Sequence, residues 1–165
     1  MATIELYSTP LYSNANLVSY YRLEANSNDS KSSNNGTDVG TVTYNATYGK
    51  FSNGCNYSAT GYTHFGSASR LDFGATDHTF TAWVKTPASY ATDKGILIRR
   101  SSIGGGAGTI SAGFFIESST GKFCSYDGTN VLKSSSGLTA GTQYLIAGVF
   151  TKATGNMLLY VNDQR

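Results

Sequence analysis

The clearest alternation in the chain runs over residues 79–85. Phe80, Ala82 and Val84 fall on one face, and Thr81, Trp83 and Lys85 on the other. A period of two marks a half-buried strand. Shorter runs of β-forming residues recur at 17–23, 55–57, 62–65, 95–100, 109–117, 122–126, 131–133, 143–151 and 156–162, with weak alternation over 38–44. Turn signals separate them: Asn53-Gly54, Thr60-Gly61, Ser119-Thr120-Gly121, Asp127-Gly128 and Ala153-Thr154-Gly155. Residues 24–36 read as a polar loop, and the glycine-rich stretch 103–108 as a flexible one. Residues 1–16, with Pro10, read as an extended entry segment. No stretch keeps an i, i+3, i+4 apolar pattern for three turns. Strands spaced roughly 8–14 residues apart predict an all-β fold, a two-sheet antiparallel sandwich or a barrel.

Composition agrees with that pattern. Charged residues are 13% of the chain, so its polarity comes from Ser, Thr, Asn and 19 glycines, which suit strands and turns better than helices. The net charge of +2 is spread out, with Arg99-Arg100 as the adjacent basic pair. Nucleic-acid partners are not expected without a concentrated basic stripe. No apolar run approaches the ~20 residues of a membrane helix, so no membrane partner is expected. Cys55 and Cys124 either pair as a disulfide or stand as small buried residues. Neither has a Cys or His beside it in a zinc spacing. The first residues lack the basic start and apolar stretch of a signal peptide.

Several phrases follow one another in a recognisable order. They are Leu17-Val-Ser-Tyr-Tyr-Arg-Leu-Glu24 with Asn26-Ser-Asn-Asp-Ser30, then Gly49-Lys-Phe51 with Gly54, then Phe80-Thr-Ala-Trp-Val-Lys85. Gly141-Thr-Gln-Tyr-Leu-Ile-Ala-Gly-Val-Phe150 and Thr154-Gly-Asn-Met-Leu-Leu-Tyr-Val-Asn162 complete the set. Over residues 16–162 the chain resembles the laminin-G-like group of the concanavalin A-like lectin/glucanase superfamily. The resemblance implies a jelly roll over 17–165, frequent glycan or protein binding, and sometimes a bound calcium ion. In that group further strands follow the last phrase. The fold is therefore expected to lack its C-terminal strands, which leaves a sheet edge open: either the sequence is a fragment of a longer protein, or a partner chain supplies the strands, or residues 1–16 fill the gap. The resemblance also places Trp83 inside a sheet, in a core or inter-strand role.

Candidate chemistry follows from residue types. Sugars stack on aromatic rings and meet amides and carboxylates at their hydroxyls. Tyr62, His64, Tyr90, Tyr126, Asp127 and Asn130 are the candidates, each with an alternative reading as a half-buried strand or turn residue. Glu24, Asn26, Asn28 and Asp29 offer oxygen ligands for calcium, or else bond their own loop backbone. Glycoside hydrolysis needs two carboxylates at about 5–10 Å. No two acids alternate along one strand, and Glu117 is the acid that falls within a strand pattern, so no enzyme is expected. His78 reads as part of a solvated turn. Four Asn-x-Ser/Thr matches, at Asn28, Asn35, Asn45 and Asn56, arise readily by chance in a chain this rich in those residues.

Two functions are expected from this. One is a non-catalytic module binding a glycan or surface polysaccharide in adhesion, extracellular or on a virion surface. The other is a structural or attachment part of a larger assembly, such as a phage fibre or surface filament, completed by a partner chain.

Overall fold

A computed structural model describes residues 14–58, 60–66, 76–100 and 110–162. Most of the entry segment, the glycine-rich stretch 103–108 and residues 163–165 lie outside the described residues. The described chain is all-β, without a helix. It forms eleven strands: β1 Thr37–Val39, β2 Val42–Asn45, β3 Gly54–Tyr57, β4 Tyr62–His64, β5 His78–Lys85, β6 Lys94–Arg100, β7 Ile110–Ile116, β8 Lys122–Tyr126, β9 Val131–Gly137, β10 Gln143–Thr151 and β11 Asn156–Val161. Every strand pairing is antiparallel. The chain divides into two compact units, Met1–Leu71 and Asp72–Arg165.

The second unit is a sandwich. One sheet has the order β11-β10-β5 and the other β6-β7-β8-β9. The alternation read over 79–85 holds, with Phe80, Ala82 and Val84 packed on a core of Phe114, Ile116, Phe123, Leu138, Ile146 and Leu159. Phe80 stacks on Phe114 at a centroid distance of 5.0 Å, and Phe114 on Phe123 at 6.1 Å. Burying each such side chain contributes about 1.5–3 kcal/mol. Gly148 lets the sheets approach, because a β-carbon there would run into the Phe114 ring. Thr86 fastens one end of this sandwich. Its buried hydroxyl accepts the Thr142 amide at 2.9 Å and lies 2.7 Å from the Thr139 carbonyl.

Trp83 is not a core residue. It is 44% exposed on the outer face of β5, directly across from Leu145 of β10, itself 38% exposed. Its position is fixed by parity, since its neighbours Ala82 and Val84 occupy the inner face. Of the two readings given to Trp83, the inter-strand one stands.

The first unit holds two short antiparallel pairs, β1 with β4 and β2 with β3. The weak alternation over 38–44 resolves into β1 and β2, separated at Gly40, whose φ of 71° ends the first strand. The strand predicted over 17–23 does not form. That segment makes one bridge, Tyr21 with Asp29. Its backbone bonds go to the following loop instead. The Tyr20 amide donates to the Asp29 carboxylate at 2.9 Å, and the Tyr20 carbonyl accepts the Ser30 amide at 2.8 Å. Leu23 then takes a φ of 56°, which a strand cannot accommodate.

Candidate functional site: a cleft at one end of the sandwich

Moving along the inner face of the second unit, the rungs change size. In the middle, Phe80, Phe114 and Phe123 fill the space between the sheets. One rung further on, β7 and β8 offer only Ala112, Gly113 and Ser125, and a cleft of about 210 Å³ opens. His78 of β5 and Phe150 of β10 form its opposite wall. These two are direct cross-strand partners, with ring centroids 5.2 Å apart. Tyr126, Asp127 and Thr129 close one rim, and Lys152, Gly155 and Met157 the other.

Both rims are fixed by backbone bonds. The Asp127 carboxylate accepts the amides of Thr129 at 2.8 Å and Asn130 at 2.7 Å, and the Asn130 side-chain amide at 3.3 Å. These bonds, first the Asn130 amide and then the others against a smaller opposing effect of burial, hold its carboxyl below its ordinary pKa. Asp127 therefore carries its negative charge throughout the neutral range. The Tyr126 hydroxyl donates to the Gly128 carbonyl at 2.7 Å. Across the cleft, the Lys152 amide donates to Asp77 at 2.7 Å, tying the β10–β11 turn to the start of β5. His78 Nδ1 donates to the Thr76 carbonyl at 3.0 Å. The result is an aromatic wall, a fixed anion on one rim and Lys152 on the other. Such a site can stack on an apolar ring face and pair with hydroxyls around it.

The structure brings together Tyr126, Asp127 and Asn130 among the residues singled out from sequence. Tyr90 goes elsewhere. Its ring packs on the core, and its hydroxyl donates to the Leu138 carbonyl at 2.8 Å. Tyr62 and His64 belong to the first unit, half-buried in β4 opposite Val39 and Thr37. Sequence reasoning missed His78, Phe150, Lys152 and Met157. The signal was present for His78, because extending the 80, 82, 84 alternation back by one rung includes it.

Of the four candidate calcium ligands, three share one cleft and Asp29 is not part of its lining. Glu24, Asn26 and Asn28 line a cleft of about 300 Å³, but Arg22 lines it too and pairs with Glu24 at 2.8 Å. Asn26 Oδ1 accepts the Asn28 amide at 2.9 Å. Asp29 is buried and turned to its own loop, accepting the Lys31 amide at 2.8 Å and the Ser32 hydroxyl at 2.6 Å. Among the described residues no group of three or more His, Cys, Asp or Glu is placed to hold a metal.

Glu117 stands just beyond β7, paired with Lys133 at 2.5 Å, so it is not inside a strand. Asp38 is the acid that lies within a strand of the first unit, β1. There it accepts hydroxyls from Tyr44 at 2.5 Å, Ser27 at 2.6 Å and Thr63 at 2.7 Å. Both cysteines carry free thiols, Cys124 fully buried and Cys55 half-buried. No protein-family model matches the chain, and neither does any curated protein or solved structure.

Proposed function

We propose that the protein is a non-catalytic recognition module that binds a glycan in the cleft between β5, β7, β8, β10 and β11. The observation that carries this reading is the pairing of an aromatic wall, His78 and Phe150, with a backbone-fixed carboxylate, Asp127, at the open end of a β-sandwich. The resemblance to laminin-G-like jelly rolls supports it, and suggests adhesion at a cell or virion surface. Asp127 is the acid lining the cleft, whereas glycoside cleavage takes two. At about 210 Å³ the cleft falls below the ~300–1,000 Å³ of drug-sized sites, which fits one sugar ring or a chain end.

The expected affinity is modest. Ring stacking contributes about 0.5–1.5 kcal/mol, and one or two hydrogen bonds to charged groups about 1.5–3 kcal/mol each. The total, about 2–7.5 kcal/mol, corresponds to a Kd between roughly 3 μM and 30 mM per site. A glycan array followed by calorimetry, with and without calcium, tests the reading. Binding that drops about tenfold in Tyr126→Ala supports it. Silence on the array and in calorimetry under both conditions would sink it.

A further inference from the structure

The second unit has four edge strands among the described residues, β5 and β11 in one sheet and β6 and β9 in the other. Edge strands invite pairing with other chains, and proteins blunt them with charges and bulges. β6 carries Lys94, Arg99 and Arg100, and its register with β7 slips twice. β9 carries Lys133, and its register with β8 slips once. β5 carries His78 and Lys85. β11, with the sequence Asn-Met-Leu-Leu-Tyr-Val, has no charged residue, and its register with β10 is unbroken over all six residues.

The hydrogen-bond phase shows what this edge offers. The Asn162 amide donates to the Leu145 carbonyl at 2.8 Å, so Asn162 faces β10. Alternate residues Tyr160, Leu158 and Asn156 then also turn their backbone groups to β10. Met157, Leu159 and Val161 turn theirs to the outer edge. The three outward N–H and C=O sets form a regular template of the length of a short strand.

We infer that β11 pairs with β11 of a second copy of this chain, antiparallel about a two-fold axis at Leu159. The strand is self-complementary in that register. Met157 lies opposite Val161 of the partner subunit, and Leu159 opposite its own counterpart, which joins outward backbone sets to outward backbone sets. On the outer face Leu158 meets the partner's Tyr160 twice, an aromatic–aliphatic pairing of the kind that favours a register. No like charges meet anywhere along the seam, and a two-fold contact of this sort closes on itself. The joined sheet has six strands and carries the two sugar clefts on one rigid body.

Light scattering across a concentration series, together with amide hydrogen exchange, tests this. The expected result is a dimer in which the Met157, Leu159 and Val161 amides gain protection as concentration rises. Tyr160→Lys sets a lysine opposite the partner's Leu158, and Leu158→Lys one opposite the partner's Tyr160; each breaks the aromatic–aliphatic pair on both sides of the axis, charges an uncharged edge, and is expected to weaken the dimer about tenfold or more. Leu145→Lys changes the same outer face in the middle strand, away from the seam, and is expected to leave the dimer intact. A monomer at all concentrations overturns the inference, whether those amides exchange fast or are already covered by another segment. A dimer broken by Leu145→Lys but not by Tyr160→Lys also overturns it, because that pattern marks face-to-face packing. Circular dichroism of each variant separates a lost contact from a lost fold.

Discussion

Replacing Gly148 with alanine tests how the two sheets of the sandwich face each other. Gly148 is buried in the middle of β10, with Phe80 opposite it on β5. A single methyl there would meet the Phe114 ring. That ring has little room to swing, being stacked between Phe80 and Phe123. Overpacking of this kind costs about 1–3 kcal/mol. Gly148 is not among the residues with positive φ, so alanine also reduces unfolded-state entropy and returns about 0.4–1 kcal/mol. The net is a loss of about 1–2 kcal/mol, or a drop in Tm of roughly 2–8 °C for a domain of this size. The assay is thermal and urea unfolding of Gly148→Ala, Phe114→Leu and the double variant. Because Leu is narrower than Phe, the two losses should not add, and a coupling of about 0.5–1 kcal/mol in favour of the double variant is expected. A Gly148→Ala protein as stable as the parent, or strictly additive losses, would refute the face-to-face packing of β10 on β7.

Other outcomes follow from single groups. Asp29 accepts two amides and a hydroxyl inside its loop, so Asp29→Ala should cost about 2–3 kcal/mol in urea unfolding. Burial pulls the Asp29 carboxyl up, but the Ser32 hydroxyl and the Tyr20 and Lys31 amides outweigh it and hold the group well below 3.8. A carboxyl depressed in the folded state gives stability that is complete above its unfolded pKa and is lost as pH falls below it. Parent stability should therefore decline from about pH 4 downward, and Asp29→Ala should decline less steeply over the same range. Tyr44 lies on the opposite side of the scale, its phenol pushed up to about 12 by burial and by its bond to Asp38. A group raised in the folded state stabilises below its unfolded pKa, so stability should fall as pH rises from 10 toward 12, and Tyr44→Phe should remove part of that fall. Burial, then the nearby Glu117, push the Cys124 thiol up to about 11. Thiol reagents at pH 8 should label it in the unfolded chain and hardly at all in the native one, read by mass spectrometry.

The sandwich strands were legible because their inner faces alternate cleanly. β5 shows Phe80, Ala82 and Val84 in strict alternation, and the β7–β8 and β10–β11 turns carry glycines, Gly121 and Gly155, with φ of 66° and 67°. Residues 17–23 misled because β-forming residues describe a tendency, while pairing needs a partner strand. There the Asp29 side chain takes the amide that a partner would have taken. Part of the candidate site was legible too. Tyr126, Asp127 and Asn130 stand at a turn, where polar and aromatic residues announce themselves. His78 and Phe150 were hidden because their exposure depends on what faces them. Only the fold shows that the opposite rung is Ala112, Gly113 and Ser125, too small to fill the gap. The loop at 24–29 shows the other side of the same point. Oxygen-rich side chains close in sequence turned to their own backbone, as Asn26 and Asp29 do.

The most direct test of glycan recognition is a nitrogen-15 NMR titration with the best ligands from an array. The expected shifts saturate together and cluster on His78, Tyr126–Thr129 and the 150–157 turn, while β1–β4 stay still. Saturating shifts that cluster elsewhere, or none with any glycan, would contradict it.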